Sequence, residues 1–217
     1  MTAYQDILFD LDGTLTDPAL GITNALIYAL KRFGIEVKER RSLYDFIGPP
    51  LRDSFRLHYG FSEGEIDDAV RFYREYYFEK GWAENIPYPG IPALLRAQKS
   101  LGKRLILATS KPDVLARRIL AHFGLDSFFD FIAGSSLDGE RSTKADVIQY
   151  ALRNMPGASQ ERILMVGDRK YDVIGARANG IASLGVLYGY GSRDELSIAG
   201  ADFIAASVAD LQHFLSE

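Results

Sequence analysis

Short apolar runs punctuate the chain at residues 7–9, 105–108, 131–133, 163–166 and 183–187. Each is too short for a helix and ends at a polar or glycine-bearing junction, after which apolar positions return at helical spacing. Val114, Leu115, Ile119 and Phe123 share one such face, which stops at Gly124. Val147, Ile148, Ala151 and Leu152 share another. Strands alternating with crossover helices predict an α/β fold: a Rossmann-like, doubly wound parallel sheet with helices packed on it.

The interval between the first two runs is too long for one crossover and reads as helical throughout. Ile22, Leu26, Leu30 and Phe33 form a face that stops at Gly34, and Ser62 with Glu65 has the spacing of a capping box ahead of Ile66, Val70, Tyr73 and Tyr77. This predicts a small inserted helical domain, a cap, over residues 17–87, within a core formed by residues 1–16 and 88–217. The chain would leave the core near Leu15 and Pro18 and return through Pro87-Tyr88-Pro89-Gly90, where proline fixes the backbone and glycine permits a sharp turn.

Composition narrows the chemistry. The chain has 217 residues, 47% of them hydrophobic and 25% charged, enough to bury a real core. Its net charge of -4 offers no global positive field for a nucleic acid polymer or an acidic membrane. Cysteine is absent, so disulfides, thiolate metal sites and cysteine nucleophiles are excluded, and a reducing compartment fits. No signal-like N-terminus and no run approaching the roughly 18 apolar residues of a membrane span is present, so a cytoplasmic location is expected. His58, His122 and His213 are scattered, which gives a histidine triad or metal site little support.

Four polar clusters follow the apolar runs or head a helix, where a parallel sheet gathers its ligands. They are Asp10-Leu11-Asp12-Gly13-Thr14, Thr109-Ser110-Lys111, Lys144, and Gly167-Asp168-Arg169-Lys170-Tyr171-Asp172. The rim they would form holds several carboxylates, hydroxyls and ammonium groups, and no histidine or thiolate. Oxygen-only ligands select a hard cation, and Mg²⁺ is the usual choice where a phosphate oxygen completes the shell. A carboxylate can attack phosphorus once that charge is screened, and a second one two residues on can handle the leaving-group proton. Lys144 stands at a helix start, where the macrodipole disfavours a cation, which favours a specific anionic partner.

In these four blocks, in their order and spacing over almost the whole chain, the sequence resembles the haloacid dehalogenase superfamily of phosphohydrolases. The resemblance implies Asp10 as nucleophile, Asp12 as general acid and then base, and Thr109, Ser110 and Lys144 as phosphate-binding groups. It also implies Mg²⁺ held by Asp10, Asp12 through its backbone carbonyl, Asp168 and Asp172. Asp12 favours phosphoryl transfer over dehalogenation, because the dehalogenases lack an acid there. A cap between the first and second motifs resembles the subgroup of phosphoglycolate phosphatases, β-phosphoglucomutases and certain bacterial 5'-nucleotidases. Two stretches look most like the nucleotidase-type members: Ile47-Gly48-Pro49-Pro50-Leu51, and Gly134-Ser135 through Leu137-Asp138-Gly139-Glu140-Arg141 to Lys144.

The expectation is therefore a Mg²⁺-dependent phosphatase of small phosphorylated metabolites, with nucleoside 5'-monophosphates ahead of phosphoglycolate. Gly48, Pro49 and Arg52 are the candidates for substrate choice in the cap. A β-phosphoglucomutase-like phosphotransferase would use the same aspartyl phosphate; a signalling receiver shares the acids but needs neither Asp12 nor a cap. Two departures from the family pattern stand out. Asp17 is followed by Pro18 where a serine is usual, and Arg169 adds a cation beside a metal-ligand candidate.

Overall fold

The computed structural model describes residues 4–137 and 140–217, so Asp138 and Gly139 of the nucleotidase-like stretch lie outside the described residues. In chain order the elements are β1 (Asp6–Phe9), β2 (Thr16–Asp17), α1 (Ala19–Lys31), α2 (Leu51–Tyr59), α3 (Glu63–Tyr76), β3 (Ile86–Pro87), α4 (Ile91–Ser100), β4 (Arg104–Pro112) and α5 (Asp113–His122). They continue with β5 (Phe131–Ser135), α6 (Lys144–Arg153), β6 (Ile163–Gly167), α7 (Lys170–Ala178), β7 (Ala182–Val186), α8 (Arg193–Ala199), β8 (Phe203–Ala205) and α9 (Val208–Ser216). The chain divides into two compact units, Met1–Thr16 with Pro87–Glu217, and Asp17–Ile86.

The first unit is built on a six-stranded sheet in the order β5-β4-β1-β6-β7-β8, parallel throughout. Central β1 is DILF, buried on every residue, as a strand covered on both faces must be. Leu8 packs with Ile106, Met165, Val147, Ile148 and Ala176 in one cluster, to which α6 and α7 supply the helical side. Ile7 and Phe9 alternate to the opposite face and are fully buried there. The strand order reverses direction at β1: β4 and β5 build outward on one side, and the chain then crosses to β6 on the other. Side chains at the carboxyl ends of β1, β4 and β6 are thus presented at a topological switch point.

Three features depart from the sequence pattern. The run at 105–108 extends to Pro112, with a register shift against β5 between Ala108 and Pro112, so Thr109, Ser110 and Lys111 lie within a strand rather than beyond it. A sixth strand, β8, pairs with β7. The face on α5 is Leu115, Ala116, Ile119 and Leu120, while Val114 is 54% exposed.

In the second unit, α1 buries Ile22, Leu26 and Leu30, and α3 buries Ile66 and Tyr73. The capping box at α3 forms as the spacing requires: Glu65 Oε2 accepts the Ser62 backbone N–H at 2.8 Å and its hydroxyl at 2.7 Å. Aromatic side chains pack together in this unit, with half-buried Phe33 and Phe61 at 4.7 Å and buried Tyr73 stacked on Tyr77 at 5.3 Å. Asp17, the departure ahead of Pro18, accepts the Ala19 N–H at 2.9 Å and so satisfies an orphan donor at the start of α1. Among the described residues no helix is long and apolar enough to cross a membrane.

Truncating Leu8 to alanine opens a cavity where both flanking strands and two helices converge. The expected cost is about 2–5 kcal/mol, read as a lower urea midpoint for the core at unchanged slope.

Candidate active site

The loop after β1 is tight because one carbonyl serves several donors. Leu11 O accepts the N–H groups of Leu15 at 2.9 Å and Thr16 at 3.0 Å, while the Gly13 N–H donates to Thr16 O at 2.8 Å. Gly13 has φ +80°, and a side chain there would overlap the Asp168 carboxylate. Leu11 and Leu15 are buried, which pins the loop and leaves Asp10 and Asp12 at the head of the sheet. Asp10 itself is anchored by its N–H to Val166 O at 2.9 Å, one residue beyond the strand.

Lys144 begins α6, whose N-terminus is closed by Thr143 and Asp146: Asp146 N–H donates to Thr143 Oγ1 at 3.2 Å, and Thr143 N–H to Asp146 Oδ2 at 3.1 Å. From that fixed start the Lys144 stem runs past Gly175 of α7, where an added methyl would lie 2.9 Å from Lys144 Cγ. Its ammonium reaches Asp10 Oδ1 at 2.8 Å, Asp172 Oδ1 at 2.7 Å and Ala108 O at 3.1 Å. Burial alone would pull this ammonium toward neutrality, but Asp10 and Asp172 outweigh it and hold its pKa above the ordinary lysine value. The cation at a helix start has its anionic partners.

Asp168 and Asp172 come from the β6–α7 junction. The helix begins at Lys170, so Asp172 occupies the third helical position, where its Oδ2 accepts the Arg169 N–H at 3.1 Å. Capping and facing Lys144 use its two different oxygens. Burial pushes the Asp172 carboxyl up to about 6, against the pull of Lys144. Burial, with Asp172 and Asp10 beside it, raises Asp168 well above the usual carboxylate range.

One oxygen from each of Asp10, Asp168 and Asp172 falls within 4.8 Å of the others, and all three residues are buried. Asp168 Oδ1 has no hydrogen-bond partner among the described residues. Buried carboxylates that converge this closely, one with an orphan oxygen, fit a hard divalent cation by donor chemistry and by charge.

Asp12 stands apart from that trio. Its Oδ2 pairs with Lys111 Nζ at 2.8 Å, a contact nearly closed to solvent. Burial raises the Asp12 pKa, and Lys111 partly offsets the rise. Thr109, buried in β4, accepts the Lys111 N–H on its Oγ1 at 3.3 Å, and half-buried Ser110 lies between them in the strand. Asp10, Asp12, Thr109, Lys144, Asp168 and Asp172 thus all lie in the first unit, around the carboxyl ends of β1, β4 and β6. Gly48, Pro49 and Arg52 belong to the second unit. There Gly48 has φ +105°, and the Arg52 guanidinium is held by Glu63 at 2.8 Å and by Asp67. Arg52, a candidate for substrate choice, is paired with two acids within its own unit.

A further group of site residues had no role assigned from sequence. The loop after β7 reads Tyr188-Gly189-Tyr190-Gly191. The Tyr190 N–H donates to Asp168 Oδ2 at 2.8 Å, and the Tyr188 hydroxyl donates to Thr14 O at 3.0 Å. Side chains at Gly189 or Gly191 would overlap Asp168. The available signal was glycine alternating with tyrosine just past an apolar run, which marks close backbone approach.

Comparison with known proteins places these features in context. A family model described as haloacid dehalogenase-like hydrolase matches residues 7–186. A 5'-nucleotidase from Pseudomonas aeruginosa is 46% identical over 98% of this chain and 96% of its own length. The tyrosine-protein kinase PtkA of Mycobacterium tuberculosis is 41% identical over 97% of this chain and 72% of its own length. Among solved structures, a predicted phosphatase from Clostridium acetobutylicum superposes with a TM-score of 0.93 at 49% identity, covering 97% of both chains.

Because burial raises Asp168 and Asp172, a divalent cation such as Mg²⁺ bound at these acids would displace protons at a pH near or below their raised pKa values. Calorimetric titration in buffers of different ionisation enthalpy is expected to show net proton release at about pH 6, with the Asp172 share fading by about pH 8. Binding without proton release at about pH 6 would contradict this assignment.

Proposed function

The chain belongs to the haloacid dehalogenase-like hydrolase family, and from that premise we propose that it is a Mg²⁺-dependent phosphatase acting through an aspartyl phosphate on Asp10, with nucleoside 5'-monophosphates as its preferred substrates. The observation that carries this reading is the Lys144 ammonium between Asp10 and Asp172, beside the orphan oxygen of Asp168. Mg²⁺ would be held by the carboxylates of Asp10, Asp168 and Asp172 and the backbone carbonyl of Asp12. Once bound, it offsets phosphate charge so that an anionic nucleophile can approach.

Asp10 then forms a bond to phosphorus as the ester oxygen departs. The departing oxygen takes its proton from Asp12, whose buried position raises its pKa toward the range a general acid needs. In the second half, Asp12 takes a proton from the water that attacks phosphorus, and the bond from Asp10 to phosphorus breaks. Lys144 steadies negative charge on Asp10 and phosphate; Thr109 and Ser110 bind phosphate oxygens. Lys111, paired with Asp12, sets that carboxyl's orientation.

The nucleotidase preference draws its support from the Pseudomonas aeruginosa relative, matched along nearly its whole length. We assign substrate choice to Gly48 and Pro49 ahead of Arg52, whose guanidinium is already engaged. A second reading, phosphoryl transfer to a tyrosine acceptor, is favoured by the name of the mycobacterial relative.

Phosphate release from nucleoside 5'-monophosphates, phosphoglycolate and sugar phosphates, with Mg²⁺ and with a chelator, tests the proposal. The expected result is metal-dependent turnover led by the nucleotides and reduced to background in a folded Asp10→Asn protein. Turnover retained by that variant would remove Asp10 as nucleophile. Phosphotyrosine formed from ATP on a peptide, without phosphate release from the panel, would favour the second reading.

A further inference from the structure

Mg²⁺ affinity depends on how firmly the acids are held as well as on which acids they are. The β6–α7 junction presents Asp168 immediately before two cations, Arg169 and Lys170. An uncompensated guanidinium beside a cation site opposes binding, and an unanchored loop lets the ligand move. The structure addresses both through one residue that belongs to none of the four motifs. Glu195, in the first turn of α8, takes Arg169 Nε on Oε1 at 2.9 Å and Nη2 on Oε2 at 3.4 Å. The same Oε1 accepts the Lys170 backbone N–H at 2.9 Å.

Glu195 is itself fixed, because its N–H donates to Ser192 Oγ at 3.1 Å. Both partners are largely withdrawn from solvent, with Arg169 at 13% and Glu195 at 21% side-chain exposure, so the pair is geometrically defined rather than a loose surface contact. Tyr190, five residues before Glu195, supplies the N–H on Asp168 Oδ2. The short segment from Tyr190 to Glu195 therefore grips Asp168 directly and grips the two residues after it.

We propose that Glu195 is a positioning residue for the metal-binding loop: its carboxylate fixes the backbone next to Asp168 and cancels the charge of Arg169 beside the cation. The inference rests on the reading that Asp10, Asp168 and Asp172 hold Mg²⁺, and its test separates the two. Mg²⁺ affinity is measured by titration calorimetry on the full chain, wild type against Glu195→Ala, Glu195→Gln and the double variant Glu195→Gln/Arg169→Gln, with thermal melting of each protein in chelator.

Loss of an outer partner of this kind weakens metal binding by about 10–100-fold, and that is the expectation for Glu195→Ala. Glu195→Gln keeps an acceptor for Lys170 but removes the carboxylate charge that faces Arg169, so an intermediate loss is expected. The double variant removes the guanidinium charge as well and should recover part of that loss. A purely structural role would lower the melting temperature while leaving the affinity of the folded protein unchanged, and that result overturns the proposal. Should Glu195→Ala not fold, Glu195→Gln decides: wild-type affinity there, matched by the double variant, overturns it equally. Wild-type protein that binds no Mg²⁺ would instead sink the metal reading, and this inference with it.

Discussion

The site turns on one buried ammonium. Lys144 lies between Asp10 and Asp172, carboxylates brought by the loop after β1 and by the head of α7. Without that cation, two acids would be forced together in a water-poor setting, where one must take up a proton. With it, Asp10 and Asp172 share one cation, while Asp172 also serves as a helix cap. The fold supplies the means: α6 is capped by Thr143 and Asp146 so that its first residue is fixed, and Gly175 of α7 leaves room for the lysine stem. A residue that the helix macrodipole disfavours is kept there by its partners, at the expense of local helix stability.

The central strands were legible because burial on both faces demands unbroken apolar residues, as in Ile7-Leu8-Phe9 and residues 163–166. β8 was not: its apolar run Phe203-Ile204-Ala205 is only three residues long and lies at the sheet edge, with Phe203 37% exposed, so little in the sequence sets it apart. The extension of β4 was hidden because Thr109, Ser110 and Lys111 are polar, and only the tertiary pairing with β5 at Pro112 draws them into the strand. Asp172 suits a cap by residue type, yet it caps from the third helical position, with Arg169 as the residue before the helix.

At the site, residues that work through side-chain chemistry stood out by type and spacing, whereas those that work through backbone or through space did not. Tyr190 contributes an N–H, which every residue but proline has, so its contact with Asp168 leaves no trace in residue identity. Lys111 sat in a recognised cluster, but its pairing with Asp12 needs the bend between β4 and the β1 loop to be known. Arg52 shows the converse: a candidate for substrate choice by its place beside the Gly48-Pro49 turn, it has Glu63 and Asp67 within reach once α2 and α3 are folded.

Charge balance ties these pieces together. Asp10, Asp12, Asp168 and Asp172 gather at one rim, against the ammonium groups of Lys111 and Lys144. Four acids facing two bases leave an excess that a buried site cannot carry as free anions, because desolvation penalises each uncompensated charge. The raised pKa values of Asp168 and Asp172 express that penalty. A divalent cation relieves the same excess without protonation. It would also restore anionic carboxylates at the positions where a phosphate dianion must be met by screened charge rather than bare repulsion. Lys111 is engaged by Asp12 and Lys144 by Asp10 and Asp172, so the two ammonium groups leave the excess around Asp168 in place. The arrangement thus commits Lys144 to Asp10 and Asp172 and Lys111 to Asp12, and leaves the trio around Asp168 as a place, among the described residues, where additional positive charge fits.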